Sequence, residues 1–398
     1  MELNAFSTVR LPRIIFGENT HQQLPSLAAT YGRQILLVIG AVSFCATPYW
    51  SQLRDALKAA ELQWNNVIID GEPSPQQVDK IVAQFHQTGI DCVLAIGGGS
   101  VLDAAKAIAG LLPQGNTVMD YLEGVGKGLE YTGPATPLIA VPTTAGTGSE
   151  ATMNAVLSVQ GSNGFKKSFR HPDLVAEIAI VDPLLLASCP PALIAANGMD
   201  AFTQLLESYL SCRANPLTDA LAWSGLEAMV QHFFAAWEGG DSEAARQGRA
   251  GIAYGALISG ITLAQVGLGS VHGLASPLGA YFPIPHGIVC GTLLAAATEG
   301  NIRSLHQRQP ESPALKKYAR LGRLLNPGPE LTDSQAQEAL TVTLHEWTQR
   351  LRLPRLGHYG VEASDVDNIV ANCRGGSMRT NPIVLTDSEV REIVESRR

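Results

Sequence analysis

The first 180 residues alternate two kinds of segment, and that alternation constrains the fold more than any single motif. The runs "QILLVIG" (34–40), "NNVIID" (65–70), "CVLAIGG" (92–98), "TPLIAVPTT" (136–144) and "EIAIVDP" (177–183) are short and apolar, and they predict buried strands. Between them, "SPQQVDKIVAQFHQTG" (74–89) and "SVLDAAKAIAGLL" (100–112) have helical periodicity. Strand and helix in turn imply parallel strands joined by crossover helices. After Asp182 the pattern changes. Pro190 and Pro191 either open a helix or form a linker, and helical patterns follow at 199–212, 216–236, 243–267, 286–298, 313–325, 332–352 and 363–372. In the tail, Thr386 with Glu389 three residues on is a capping-box pattern. The expected organisation is an α/β domain over 1–184, with a parallel sheet and crossover helices, followed by an all-α domain over 185–398.

A chain of 398 residues is long enough for two cores. The net charge of −8, with no basic cluster, argues against nucleic-acid or anionic-membrane partners. Six scattered cysteines (Cys45, Cys92, Cys189, Cys212, Cys290 and Cys373) contain no C-x-x-C pair, which fits a reducing cytoplasm rather than a disulfide framework. The N-terminus "MELNAFSTVRLPRIIFG" lacks the basic start and long apolar core of a signal peptide. From Ala250 to Thr298 there is no Asp, Glu, Lys or Arg. Glycines, prolines, histidines and Gln265 break this segment into pieces shorter than the roughly 20 apolar residues of a membrane span. Buried helices lining a site are the better expectation.

Two loops carry phosphate-binding features. In "CVLAIGGGSVLDAAKAIA", Gly97, Gly98 and Gly99 let the backbone approach a ligand, and the following helix directs its positive N-terminus at it. Ser100 with Asp103 reads as an N-cap pair. A plain capped turn fits the same residues, and the spacing is not G-x-G-x-x-G. The second loop, "AVPTTAGTGSEAT", offers Thr143, Thr144, Thr147 and Ser149, whose hydroxyls suit ribose or phosphate oxygens. Two such loops at the C-terminal ends of neighbouring strands point to a dinucleotide crevice.

A third constellation is metal-like. Asp200 and Gln204 lie four apart on a helical pattern, hence on one face. His272 and His286 follow in the uncharged segment. One carboxylate and two imidazoles suit Zn2+ or Fe2+, with the Gln204 amide oxygen as a weak fourth ligand or with that position left to water or substrate. Taken singly, Asp200 is equally an N-cap and each histidine equally a satisfied core residue. The other histidines, His21 among them, read as surface residues.

Six ordered motifs, "GGGSVLDAAKAIA", "PTTAGTGSE", "AIVDP", "GMDAFTQLLESYLS", "HGLASPLGAYFPIPHG" and "TNPIVLT", resemble the signatures of the iron-containing (group III) alcohol dehydrogenase family across nearly the whole chain. The resemblance implies an N-terminal dinucleotide-binding domain, a helical C-terminal domain, a site in the cleft between them, and NAD(P)-linked interconversion of alcohols with aldehydes or ketones. By motif position, Asp200, His272 and His286 match three of the four usual metal ligands, with Fe2+ ahead of Zn2+ from family habit. Gly97, Gly98, Gly99, Ser100 and Asp103 match the pyrophosphate loop. Thr143, Thr144 and Thr147 match the second cofactor loop, and Lys167 matches a lysine near the nicotinamide. Relatives are often dimers or larger, so a homodimer or larger homo-oligomer is expected.

Two departures fall inside the implied site. The usual D-A-x-T-H is here "DAFTQ", so Gln204 replaces a ligand histidine. The usual H-x-x-x-H is here "HGLAS", so Ser276 replaces a histidine thought to assist proton transfer. Three protein ligands still suffice for a catalytic metal, and Ser276, a ribose hydroxyl or water is expected to carry the proton. Two other readings stay open: a metal-independent reductase of the maleylacetate reductase kind, and a non-catalytic nucleotide-binding protein with a decayed site. The strand at 34–40 ends in Gly40, where NAD-preferring relatives carry an acid; Ser43 follows, and no Lys or Arg appears before Arg54. Acceptance of NADP(H) is therefore expected. The small alcohol or aldehyde substrate is not specified by the sequence.

Overall fold

A computed structural model describes residues 5–161, 164–328 and 330–398. The N-terminal part is built on a six-stranded sheet whose paired neighbours are all parallel. Its strands are β1 (Arg13–Phe16), β2 (Gln34–Gly40), β3 (Gln63–Ile69), β4 (Cys92–Gly97), β5 (Leu138–Pro142) and β8 (Ile178–Val181), in the spatial order β1-β8-β5-β4-β2-β3. The five expected strands are all present, each within two residues of its expected ends. β2 and β4 are neighbours although β3 lies between them in sequence, so the strand order reverses there. In open α/β sheets such a reversal opens a crevice at the strands' carboxyl ends, where ligands bind.

Side chains alternate across this sheet with a period of two, as strand geometry requires. Ile35, Leu37, Ile39, Leu94, Ile96, Ile139 and Val141 share one core with α2 (Pro48–Ala59). Leu36, Val38, Val93, Ala95, Leu138 and Ala140 share the other with α3 (Pro75–Phe85) and α4 (Gly99–Leu111). Both faces are apolar, which is why the strands read as continuous hydrophobic runs.

The sequence reading did not anticipate β1, α2 or an antiparallel hairpin of β6 (Asn154–Val159) and β7 (Phe165–Arg170). In "FKKSFR" Lys166, Ser168 and Arg170 share one face while the exposed Lys167 interrupts the apolar face of Phe165 and Phe169, so the alternation is weak. His21 is a further correction: it is buried, its Nδ1 is 2.5 Å from Asp182, and it ties the segment after β1 to the end of β8.

The C-terminal part is helical: α5 (Pro191–Leu210), α6 (Pro216–Glu238), α7 (Glu243–Val266), α8 (Ser270–Tyr281), α9 (His286–Arg308), α10 (Pro313–Leu325), α11 (Asp333–Arg350), α12 (Val366–Asn372) and α13 (Asp387–Arg397). Pro191 is the first residue of α5, so the proline pair opens a helix. The uncharged stretch forms most of α7, all of α8 and the start of α9, and it is largely buried. Among the described residues, no single helix is long and apolar enough to cross a membrane.

Candidate active site

Three helices bring the metal-like residues together. Asp200 lies in the middle of α5, which removes the N-cap reading. His272 is on the first turn of α8, and His286 is the first residue of α9, set by Pro285 at its N-cap. Asp200 Oδ1 is 3.2 Å from His272 Nε2 and 3.7 Å from His286 Nε2. A fourth donor joins them, and the sequence reading missed it: Cys290 Sγ is 3.6 Å from His272 Nε2 and 3.8 Å from His286 Nε2. One ligand atom from each of Asp200, His272, His286 and Cys290 lies within 4.8 Å of all the others. The available signal was spacing, since Cys290 is four residues after His286 and therefore one turn along the same face of α9.

These donors fit a divalent metal. A tetrahedral ion with bonds of about 2.0–2.2 Å to N and O and about 2.3 Å to S has donor–donor edges of roughly 3.3–3.6 Å, close to the separations above. The Nδ1 of His272 donates to Glu207 Oε2 at 2.6 Å, which fixes the ring and turns Nε2 to the cluster. Among the described residues, the buried Nδ1 of His286 has no hydrogen-bond partner. Burial works against the charge on Asp200, but His286 and His272 outweigh it and hold the carboxyl at about 2. Burial, with the charges of Lys166 and His272, lowers His286 to about 4, so it is the neutral imidazole a metal requires. Burial pushes the Cys290 thiol up to about 12 in the metal-free protein.

Gln204 has another partner. It is buried one turn beyond Asp200, and its Oε1 accepts a hydrogen bond from Ser259 Oγ at 2.6 Å. Ser276 is half-buried on α8, one turn after His272.

The expected lysine needs a correction. Lys167 points away and is exposed, whereas Lys166 on the opposite face of β7 is half-buried and donates to Glu72 Oε1 at 2.7 Å. Glu72 also accepts from Ser158 Oγ at 2.6 Å, and Glu72 and Lys166 are both close enough to His286 to influence its charge. Successive strand residues face opposite ways, so a one-residue error in a loose alignment selects the wrong side chain.

The two glycine-containing loops follow β4 and β5 and meet at the ends of those neighbouring strands, with β4 bordering the strand reversal. A Cβ on Gly99 would stand 2.7 Å from Thr147 Oγ1, and one on Gly98 would stand 3.3 Å from Thr144 Oγ1. The missing side chains thus let the second loop's threonines sit directly on the first loop. Gly97 is equally constrained, with Val101 Cγ2 2.5 Å from the position of a Cβ. The N-cap of α4 is Gly98, and Ser100 is already inside the helix, so Ser100 and Asp103 do not form the expected cap pair. Instead, Asp103 Oδ1 accepts from Ser149 Oγ at 2.5 Å and pairs with Lys106 at 2.9 Å. Ser149 is buried in this bond, and Thr143 is buried with its N–H donating to Gly97 O at 2.9 Å. Gly40 ends β2 and Ser43 is exposed on the loop that follows.

On the α2 side of the sheet a cavity of about 280 Å3 is lined by His21, Phe44, Tyr49, Leu53, Ile96 and Leu185 among others. The second loop also packs on α5, because a Cβ on Gly146 would meet Asn197 Cβ at 2.8 Å, one turn before Asp200.

The family described as "Iron-containing alcohol dehydrogenase" matches residues 12–183, and its C-terminal counterpart matches residues 194–397. The chain belongs to the iron-containing alcohol dehydrogenase family. As a member of that family it is an alcohol oxidoreductase acting on small molecules. It is 30% identical to alcohol dehydrogenase 4 of Saccharomyces cerevisiae over 96% of each chain. It is 32% identical to the 1-propanol dehydrogenase PduQ of Citrobacter freundii over 88% of this chain and 89% of that one. Among solved structures, an archaeal halo-thermophilic alcohol dehydrogenase from a Red Sea brine pool superposes with a TM-score of 0.90 at 25% identity, covering 100% of both chains. A 1,3-propanediol oxidoreductase superposes with a TM-score of 0.87 at 26% identity, covering 99% of this chain and 100% of that one.

Proposed function

We propose that this iron-containing alcohol dehydrogenase relative is a metal-dependent, NAD(P)-linked enzyme that interconverts a small alcohol and its aldehyde or ketone. The observation that carries the reading is the convergence of Asp200, His272, His286 and Cys290 beside a crevice lined by two glycine-containing loops. Asp200, His272 and His286 would hold a divalent metal, Fe2+ or Zn2+. When bound, the metal polarises the substrate oxygen and the nicotinamide supplies or accepts a hydride.

The chain's own residues do the positioning. Gly97, Gly98, Gly99 and Ser100 present the start of α4 to the pyrophosphate. Thr144 and Thr147 offer hydroxyls from the facing loop, and Asp103 with Ser149 ties that loop to α4. The apolar cavity between Phe44, Tyr49, Ile96 and Leu185 would take the adenine ring. Lys166, held by Glu72, takes the place expected for Lys167 near the nicotinamide. Ser276 carries the proton at the substrate oxygen in place of the family's histidine. With no acid at Gly40 and with Ser43 exposed, a 2′-phosphate meets no repulsion, so NADP(H) is accepted beside NAD(H).

Relatives named 1-propanol dehydrogenase, 4-hydroxybutyrate dehydrogenase and long-chain-alcohol dehydrogenase support an aliphatic alcohol as substrate. Six free cysteines support a reducing, cytoplasmic setting, and family habit supports a homo-oligomer. The test is to replace Asp200 and, separately, His272 with Ala, then to measure bound metal and aldehyde-dependent NAD(P)H oxidation. Both should fall together, and full activity in a metal-free variant would overturn the reading. Initial rates with each cofactor test the NADP(H) part.

A further inference from the structure

Where the family's motif has a ligand histidine, this chain has Gln204, whose oxygen is engaged by Ser259. Cys290 stands on a different helix and brings a sulfur to the same cluster. Its surroundings differ from those of the other cysteines. The sulfurs of Cys92, Cys189, Cys212 and Cys373 each contact a backbone carbonyl oxygen, the usual role of a cysteine that only fills space. Among the described hydrogen bonds, Cys290 Sγ contacts only the Nε2 atoms of His272 and His286. Side chains on a helix lean toward its N-terminus, and the N-terminal residue of α9 is His286 itself. The lean therefore carries the sulfur toward the other donors.

We propose that Cys290 is the fourth protein ligand of the metal, replacing the imidazole absent at position 204, and that its thiolate makes this site prefer Zn2+ to Fe2+. The proposal rests on the reading that the cluster holds a divalent metal. On binding, the S–H bond breaks, a metal–sulfur bond forms and the proton leaves to solvent, with no change of oxidation state. A soft donor among N and O ligands favours zinc, and zinc already stands above Fe2+ in the general order of affinities.

Cobalt(II) distinguishes the outcomes, because its visible bands report binding and a near-ultraviolet charge-transfer band reports a thiolate ligand. The metal-free full chain is titrated with Co2+ alongside Cys290→Ser and Gln204→Ala. Wild type and Gln204→Ala should give both signals, and Cys290→Ser should keep the visible bands and lose the charge-transfer band. Competition should show Zn2+ affinity reduced roughly 100-fold or more in Cys290→Ser, beyond the 10–100-fold typical of an outer partner, with Fe2+ affinity changed much less. Visible bands without a charge-transfer band in wild type would overturn the cysteine ligand and leave the metal reading standing. Binding of neither Co2+ nor Zn2+ by wild type would overturn both. The wild-type spectrum decides the matter even if Cys290→Ser folds poorly.

Discussion

Glu207 holds both His272 and the residue before it. Its Oε2 accepts from the ring Nδ1 at 2.6 Å, and its Oε1 accepts from the N–H of Val271 at 2.7 Å. One carboxylate on α5 thus fixes both the imidazole and the first turn of α8 that carries it. Replacing Glu207 with Gln keeps an acceptor for Val271 but removes the charge behind the ring. Metal affinity should fall about 10–100-fold, measured by competition with a chelating dye, while thermal stability changes little. An unchanged affinity would mean that His272 needs no such support.

Lys166 and Lys167 occupy opposite faces of β7, and the two readings of the motif predict opposite results. Lys166→Met releases Glu72 and alters the charge beside His286. It should lower kcat/KM on the order of 10–100-fold, the scale on which small displacements at a reacting centre act. Lys167→Met, at an exposed position, should remain close to wild type. Steady-state rates of the two variants decide between them.

Much of the fold was legible in the sequence, because buried parallel strands and amphipathic helices write their periods plainly. The five apolar strands, the change to helices after the sheet and the Thr386–Glu389 capping box all correspond to structure, the last with both of its hydrogen bonds formed. The convergence of Asp200, His272 and His286 was legible from motif order. Cys290 was not, because the missing imidazole drew attention to position 204 while the added donor came from another helix. The roles of Asp103 and Ser149 were also hidden: a serine in a loop reads as a ligand for phosphate until its acceptor is seen 2.5 Å away. The burial of Lys106 was hidden because a lysine in an apolar helix usually carries its ammonium out to water.

Glu389 makes the C-terminal helix sensitive to acid. Burial raises its carboxyl, but Arg308, Ser304 and the Thr386 cap more than compensate and hold it at about 2, below the ordinary 4.5. A carboxylate with a lowered folded-state pKa adds stability that is complete above the unfolded value and disappears as pH falls through the folded one. Glu389→Gln should therefore destabilise the protein by on the order of 2–3 kcal/mol at neutral pH. The difference from wild type should shrink as the pH drops from about 4.5 towards 2. Urea unfolding of both proteins across that range checks the sign; a constant difference would remove the carboxylate's charge from the account.

Lys106 is the buried lysine that joins α4 to the second glycine-containing loop. It is 1% exposed, and its ammonium reaches Asp103 at 2.9 Å, Ser149 O at 3.0 Å, Thr152 Oγ1 at 2.9 Å and the carbonyl of Asn154. Burial lowers its pKa, and the Asp103 and Glu150 carboxylates oppose that shift. Lys106→Met conserves most of the volume but removes the cation beside the half-buried Asp103 and the donor to two carbonyls, which should cost about 3 kcal/mol. Removing both charges, as Lys106→Met with Asp103→Leu, should recover part of that loss, because the stranded carboxylate causes most of it. Cofactor binding should not recover with it, since Asp103 also anchors Ser149 and hence the second loop. Thermal unfolding and NAD(P)H fluorescence titration on the single and double variants separate the two effects; a double variant that regained both would make this cluster a packing device alone.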